Sequence, residues 1–367
     1  MTERLSTLLH EEASSLEVPT PAAGAVLARG RTLRRRRRGA VVVAAAAALA
    51  VLGSGATLAT DAFRHDDRAV EPAGTTSDFA STGAFAIGSD LHIGGRVVDL
   101  GEPVKAVYYT SAGAVVRSGD RAATDAAGDS HYTLVTPDGA RSAIDVTTGD
   151  RIVGLEPDST HLAYAAAHGD RWDVVVHDVV SDTELARVTV DGTFTWGGWE
   201  APPVVLDGDT VWVHFDGRWT EVDWRTGRAH EVPGTDGVFE AADGSYATRD
   251  AGDAWTVHAM ADGRVTGTVP LRRGWYAFFS PDGRYLHAFD NEGMGDDGPA
   301  AVVYDARTGR ERDVAGPLDD LGWTPDGHTM EVRGHTLSTC TPVGGDCTAY
   351  TVEGGGQLKL GGNPYGS

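Results

Sequence analysis

The segment that decides the fold is Phe279-Ser-Pro-Asp-Gly-Arg-Tyr-Leu286, followed after a loop by Val303-Tyr-Asp-Ala-Arg-Thr-Gly309. Proline presets φ at the first central position of a turn and glycine accepts a positive φ, so each stretch predicts a tight turn between two strands. The four predicted strands are approximately Trp275–Ser280, Tyr285–Asp290, Ala301–Asp305 and Glu311–Ala315. Together they make one antiparallel, four-stranded unit.

Both turns recur along the chain. Relatives of the first are Thr136-Pro-Asp-Gly139, Pro157-Asp-Ser159 and Thr324-Pro-Asp-Gly327. Relatives of the second are Asp145-Val-Thr-Thr-Gly149, Asp223-Trp-Arg-Thr-Gly227 and the degenerate copy Asp178-Val-Val-Ser-Asp182. A repeat of about forty residues is the length of one four-stranded propeller blade. The sequence therefore predicts an all-β propeller.

Superposition of the unit on the chain predicts the number of blades. Six blades fall near residues 104–150, 151–191, 192–233, 234–271, 272–316 and 317–353. Three further strands make most of a seventh blade: Ala84–Ile87, Leu91–Ile93 and Arg96–Leu100. Gln357-Leu-Lys-Leu360 supplies the missing strand and closes the ring. We predict seven blades, with six as the alternative.

The repeat resembles the TolB-like and WD-repeat-like propellers of bacterial exported proteins. The resemblance is strongest in the two blades with complete Pro-Asp-Gly turns, and the recurring Gly-His and Trp-Asp pair of eukaryotic WD repeats is absent. Families with this repeat serve mostly as interaction or sensor platforms, and some accompany hydrolases. The resemblance therefore implies a fold and a binding role, not a reaction.

A second long feature precedes the repeats. Gly39–Thr60 contains no charged side chain, and about twenty helical residues span a bilayer core of about 30 Å. Arg34, Arg35, Arg36, Arg37 and Arg38 adjoin it, and positive flanks stay cytoplasmic, so Asp61 onward lies outside. The alternative is a cleavable signal peptide with small residues at Thr57 and Ala59. In both cases the body is exported to the envelope.

The predicted domains are a short helical cytoplasmic tail (1–38), a transmembrane signal anchor (39–60), a flexible linker (61–81) and the propeller (82–367). In the tail, one helix face carries Leu5, Leu8, Leu9 and Leu16. This face is a candidate docking surface for a cytoplasmic partner. The alternative is a solvated or membrane-skimming tail, since basic juxtamembrane segments attract anionic lipid.

Charge excludes one class of partner. The net charge is -22, and because eight arginines and four glutamates give the tail +4, the remainder carries -26. Such a surface repels nucleic acid and favours solubility. Only two lysines occur, Lys105 and Lys359, beside abundant Arg, Ala, Gly and Asp. That composition is similar to proteins of GC-rich actinobacteria and carries no functional information.

The two cysteines lie seven positions apart, in Cys340-Thr-Pro-Val-Gly-Gly-Asp-Cys347. Proline and the Gly-Gly pair predict a turn that brings Cys340 and Cys347 together across a hairpin. In an oxidising exterior this pair is expected to form a disulfide. A metal pair is the alternative, but no further ligands cluster nearby in the sequence.

Catalytic motifs do not emerge from the sequence. It contains no Gly-x-Ser-x-Gly elbow and no His-Glu-x-x-His helix motif. Asp129-Ser-His131 places three catalytic residue types in a row, but triads assemble from distant segments. We therefore nominate no catalytic residue and expect no enzyme, with an exported hydrolase or lyase as the alternative.

Two segments are candidate binding features. Trp196 and Trp199 flank Gly197-Gly198 and are candidate ligand-binding aromatics, with packing between blades as the alternative. The acidic loop 290–298 offers oxygen ligands for calcium, but Met294 occupies a ligand position and the distal Glu is missing. We expect a solvated loop and no cofactor, with calcium as the alternative.

These patterns favour a single-pass membrane protein with a cytoplasmic N-terminus. Its extracytoplasmic propeller is expected to be a sensor or scaffold that binds an unknown envelope protein or small ligand. The tail is a possible contact for a cytoplasmic partner, and nucleic acid is not expected. A cleaved, secreted propeller remains the alternative to the anchored form.

Overall fold

The computed structural model divides into two units, Met1–Val70 and Glu71–Ser367. The residues that it describes are 76–120, 130–146, 148, 153–195, 201–216, 218–232, 238–249, 255–259, 263–270, 275–290, 301–314, 321–352 and 356–363. The predicted tail, the segment Gly39–Thr60 and linker residues 61–75 lie outside these ranges. Within the described ranges, no helix has the length and apolar character needed to cross a membrane.

One short helix and the strands of seven four-stranded sheets make up the described fold. Helix α1 spans Thr76–Thr82. Blade 1 contains β1 (Ala84–Ile87), β2 (Asp90–Ile93), β3 (Arg96–Asp99) and the last strand of the chain, β28 (Leu358–Leu360). Blade 2 contains β4 (Val104–Thr110), β5 (Gly113–Ser118), β6 (His131–Val135) and β7 (Arg141–Ile144). Blade 3 contains β8 (Gly154–Leu155), β9 (His161–His168), β10 (Arg171–Asp178) and β11 (Thr183–Val190).

The remaining four blades follow in chain order. Blade 4 contains β12 (Val204–Asp207), β13 (Thr210–Phe215), β14 (Arg218–Asp223) and β15 (Arg228–Glu231). Blade 5 contains β16 (Val238–Ala242), β17 (Ser245–Arg249), β18 (Trp255–Ala259) and β19 (Val265–Val269). Blade 6 contains β20 (Trp275–Phe279), β21 (Tyr285–Asp290), β22 (Ala301–Asp305) and β23 (Glu311–Val314). Blade 7 contains β24 (Leu321–Trp323), β25 (Thr329–Arg333), β26 (Thr336–Cys340) and β27 (Cys347–Thr351).

The first strands of the blades form the inner wall of the ring. Contacts between them run from β24 through β28, β4, β8, β12 and β16 to β20. Blade 1 receives its first strand from the other end of the chain, because β28 pairs with β1 in the register Phe85↔Leu360, Ala86↔Lys359 and Ile87↔Leu358. The prediction of seven blades, closed by the C-terminal strand, is confirmed, and the six-blade alternative is wrong.

The residues that follow β28 join three blades. The N–H of Gly361 donates to Ala84 O of blade 1 (3.0 Å), and the N–H of Gly362 donates to Val107 O of blade 2 (3.1 Å). Gly361 O accepts from the N–H of Trp323 in blade 7 (2.8 Å). The closing strand is therefore held by backbone hydrogen bonds on both sides of its own blade.

Tyr109 strengthens the same junction from blade 2. Its buried hydroxyl donates to Trp323 O (2.8 Å) and accepts from the N–H of Ala84 (3.1 Å). Phe79 of α1 packs edge-on against the Tyr109 ring at 5.7 Å. Ala80 O of the same helix accepts from the N–H of Asp326 in blade 7 (3.1 Å), so the last residues of the predicted linker contact two blades.

The Ser-Pro-Asp-Gly turn forms as its residues predict. In blade 6 the Asp282 carboxylate accepts from the Ser280 hydroxyl (2.5 Å) and from the N–H of Arg284 (3.2 Å), while Gly283 has φ +64°. Thr324–Gly327 repeats the arrangement in blade 7, with the same link between first and second strands.

The blade 6 repeat has its first turn between the first two strands and its second turn between the last two, and this order is wrong for blade 2. Thr136–Gly139 joins the third and fourth strands of blade 2, and Asp145 follows the fourth strand instead of lying in a hairpin. The cause is physical: the same turn chemistry serves any tight antiparallel connection, so it does not specify which strands are joined.

The Asp-x-x-x-Gly turns in blades 4 and 6 join third to fourth strands as predicted. Asp223 accepts from the N–H of Thr226 (2.9 Å), and Gly227 has φ +70°. In the degenerate copy, Asp182 takes the place of glycine with φ +52°. Its carboxylate accepts from the N–H of Asp145 in blade 2 (2.9 Å), so this departure from the motif links two blades.

The cysteines occupy the hairpin that the sequence predicts. Cys340 at the end of β26 is the register partner of Cys347 at the start of β27, and the structure pairs them as a disulfide.

The closure can be tested by adding one methyl group at the seam between blades 7 and 1. A Cβ on Gly322 would lie 2.5 Å from Leu360 Cβ and 2.7 Å from Gly361 O, so Gly322→Ala displaces the closing strand. We expect a loss of about 3 kcal/mol in the free energy of unfolding, measured by urea denaturation.

The matched control is Gly334→Ala. At Gly334 a Cβ meets nothing within 4 Å, although φ is +62°. Only backbone strain is then added, and the expected loss is about 1 kcal/mol. Equal losses for the two variants would contradict the role of this seam.

Candidate functional site: the acidic mouth

The turns between first and second strands of successive blades meet at one end of the ring. The N–H of Ser111 in blade 2 donates to Ser159 O in blade 3 (2.9 Å), and the N–H of Gly208 in blade 4 donates to Glu156 of blade 3 (2.6 Å). A Cβ on Gly327 of blade 7 would lie 2.4 Å from Asp282 Oδ2 of blade 6. Gly327 therefore accepts the positive φ of its own turn and also leaves room for Asp282 of the preceding blade.

Carboxylates occupy these turns in five consecutive blades, with Asp326 in the turn of blade 7, and those of blades 3, 4 and 6 also influence the pKa of Asp243 in blade 5. We call the group in blades 3 to 6 the acidic mouth: Glu156 and Asp158 of blade 3, Asp207 of blade 4, Asp243 of blade 5 and Asp282 of blade 6. Each lies in, or at the edge of, the turn that ends an innermost strand. The ring thus gathers five acidic side chains that are distant in sequence.

The members of the acidic mouth influence one another electrostatically. Partial burial raises the pKa of Asp243 to about 6, and the charges of Asp207, Asp158 and Asp282 add to that rise. Burial is also the main cause of the raised pKa values of Glu156, Asp207 and Asp282. Burial and mutual repulsion both disfavour the ionised form of these carboxylates, so the concentration of negative charge here costs free energy.

Several of these side chains are held in place by the backbone. Glu156 is fixed by the N–H of Gly208, and one oxygen of Asp282 is engaged by its own turn. The other oxygen, Oδ2, is buried without a hydrogen-bond partner among the described residues. Asp243 and Gly244 have φ +42° and +68°, as in a type I′ turn. The mouth is therefore largely preformed.

The binding features that the sequence predicts fall on residues that the structure does not describe. Trp196, Trp199 and residues 291–298 of the acidic loop lie outside the described residues, so both hypotheses stay predictions. Trp212 and Trp224 are buried between blades, as strand alternation indicates. Within the described ranges, no group of three or more His, Cys, Asp or Glu side chains is arranged to hold a metal ion.

Three histidines on strands pack against neighbouring rings. His214, His258 and His287 lie on β13, β18 and β21, within strands that the sequence predicts. His214 stacks on Trp219 with ring centroids 4.8 Å apart, and His258 stacks on Tyr246 at the same distance. Burial lowers the pKa of His287 to about 3, so this imidazole is neutral at physiological pH.

Sequence reasoning did not find the acidic mouth, although a signal exists. Alignment of the first turn of each blade places Glu156-Pro-Asp158, Asp207-Gly208, Asp243-Gly244 and Asp282-Gly283 in one column. Each aspartate by itself is a turn-forming residue, and only the meeting of successive turns makes the group a site.

Among known proteins, this chain is similar to solved structures at low sequence identity. No family model matches the chain, and no curated protein matches it. Among solved structures, hydrazine synthase of Kuenenia stuttgartiensis is 15% identical, with 72% of this chain and 90% of that chain covered at a TM-score of 0.43. The WD40 domain of Toxoplasma gondii coronin is 9% identical, with 68% and 70% covered at a TM-score of 0.41. The strand order itself defines this chain as a seven-bladed β-propeller protein.

The charge concentration predicts a pH-dependent effect of Asp243→Asn on stability. The folded-state pKa is raised from 3.8 to about 6, so the folded protein binds this proton more tightly than the unfolded chain. The protonated Asp243 carboxyl therefore contributes fully to the free energy of unfolding below its ordinary pKa. That contribution is lost as pH rises through about 6. The variant should gain about 1 kcal/mol at pH 7, allowing for solvent screening, and little at pH 4.

Urea unfolding at the two pH values measures this difference. Asparagine also accepts the positive φ of this turn, so any change in turn preference applies equally at both pH values. Asp313→Asn, on an exposed part of β23, is the matched control and should have little effect. An equal gain from Asp243→Asn at both pH values would contradict the electrostatic interpretation.

Proposed function

We propose that this protein is a membrane-anchored binding module whose propeller engages an envelope protein or a small ligand through the acidic mouth. The observation that carries the proposal is the convergence of first turns from successive blades at one end of a closed ring. Propellers commonly act as binding scaffolds, because their blades present loops from distant sequence around one axis.

The chemistry of the mouth favours a positively charged group. Neighbouring carboxylates with raised pKa values repel one another, and a bound ammonium or guanidinium group relieves that repulsion. The backbone N–H groups of Gly208 and Arg284 fix Glu156 and Asp282 beforehand, which lowers the entropy lost on binding. The expected ligands are amines or the lysine and arginine side chains of a protein partner.

The membrane context rests on sequence. Gly39–Thr60 is the proposed anchor, and Arg34–Arg38 orient it with the tail in the cytoplasm. A sensor would couple ligand binding outside to a partner on the leucine face of the tail, whereas a scaffold would use the propeller alone. A cleaved, secreted propeller and an exported enzyme remain the alternative functions.

Removal of charge at the mouth tests the binding role. The variant Asp207→Asn/Asp243→Asn should weaken binding of spermine to the purified full-length chain about tenfold, measured by isothermal titration calorimetry. The matched control Asp313→Asn/Asp346→Asn removes the same charge from exposed positions elsewhere and should change the Kd less than about twofold. Equal weakening would mean that general negative charge, and not the mouth, binds the amine.

Deletion of residues 2–33 tests the tail. This variant keeps Arg34–Arg38 and therefore the predicted topology. If the tail is a docking element, crosslinked pull-downs from membranes should lose a cytoplasmic protein while retaining the envelope partners. Recovery of the same proteins by both forms would contradict the sensor and leave the scaffold.

A further inference from the structure

We infer that the Cys340–Cys347 disulfide is a redox-sensitive lock on the seam between blades 6 and 7. The inference concerns the outer part of the ring and requires no ligand, so it goes beyond the proposed function. It rests on Arg312, which connects the two blades through the turn that the disulfide closes.

Arg312 lies on the outermost strand of blade 6 and makes its contacts in blade 7. Its Nε donates to Pro342 O (2.5 Å), and Nη2 donates to Glu331 Oε1 (2.5 Å) and to the Thr329 hydroxyl oxygen (3.0 Å). The Arg312 and Glu331 side chains are only 17% and 6% exposed. A guanidinium in such a place needs all of its partners, because each lost partner leaves a poorly solvated charge.

One of those partners belongs to the disulfide-closed turn. Pro342 lies two residues after Cys340, within the six-residue connection between β26 and β27. The turn has internal bonds of its own, from the N–H of Thr341 to Asp346 O (2.9 Å) and from the N–H of Gly345 to Thr341 O (3.2 Å). The disulfide fixes both ends of this turn and so limits the positions that Pro342 O can take.

The bond is also placed for reduction from solvent. Cys340 is buried, whereas Cys347 is exposed. A dithiol attacks the sulfur of Cys347 as a thiolate, forms a mixed disulfide with it and releases Cys340 as a thiol. Its second thiol then attacks the mixed bond, which yields two protein thiols and one oxidised, cyclic dithiol. Two electrons and two protons pass from the reductant to the protein.

Reduction thus releases one end of the Arg312 bridge. With the turn no longer closed, Pro342 O is free to leave Nε, and the ion pair with Glu331 loses the contact that orients it. The expected result is more frequent opening of β23 and β25 while the inner strands remain paired.

Hydrogen exchange of the purified full-length chain, with and without dithiothreitol, tests the lock. Amides in 311–314 and 329–333 should exchange about fivefold faster after reduction. The Cys340→Ser/Cys347→Ser variant should show the fast rates without reductant and no response to it. In Arg312→Gln, both segments should exchange faster from the start, and reduction should add little.

Arg310→Gln is the matched control, since Arg310 is exposed two positions earlier on the same hairpin. It should respond to reduction as the wild type does. The inference is overturned if reduction accelerates exchange only within 340–351, or if Arg310→Gln abolishes the response as completely as Arg312→Gln does. The wild-type comparison alone decides the first of these outcomes, whether or not the variants fold.

Discussion

The antiparallel pairing of β28 with β1 is the interaction on which the rest of the structure depends. Six blades are each complete within a continuous stretch of chain, but blade 1 obtains its innermost strand from residues 358–360. Gly361, Gly362 and the Tyr109 hydroxyl extend this pairing into blades 7 and 2. Without it, β1 would present an open edge and the inner wall would lack one member. The position of every turn at the mouth therefore depends on a few hydrogen bonds between the two ends of the domain.

The residues that form the turns also make contacts between blades. An aspartate that closes its own turn also reaches the neighbouring blade, as Asp182 and Asp282 do, and a glycine that accepts positive φ also makes room for that neighbour. These residue types therefore suit turns that pack against a neighbouring blade. They also concentrate carboxylates at the axis, where their repulsion opposes stability and favours a cationic ligand.

Much of the fold could be predicted from the sequence, because Pro-Asp-Gly and Asp-x-x-x-Gly turns are local signals and their spacing equals one blade. Even closure could be predicted, since three leftover strands need a fourth. The turns of blade 2 were misassigned because the same turn residues suit any tight antiparallel connection and do not show which two strands are joined. The acidic mouth leaves a signal only when the first turns of successive blades are aligned, and the Arg312 bridge depends on side-chain contacts between blades that no local pattern encodes. The tryptophans at 196 and 199, the loop 290–298 and the tail stay predictions.

The pairing of first and last strands also sets an order of events in time. Synthesis proceeds from the N-terminus, so β1 emerges before the other strands and β28 emerges after them. Until then, blade 1 has three strands and an unpaired edge, in an environment where other nascent chains can pair with it. The shortness of β1 limits that hazard, since four residues offer few hydrogen bonds to a wrong partner. The ring therefore stays open until β28 has been made and has paired with β1.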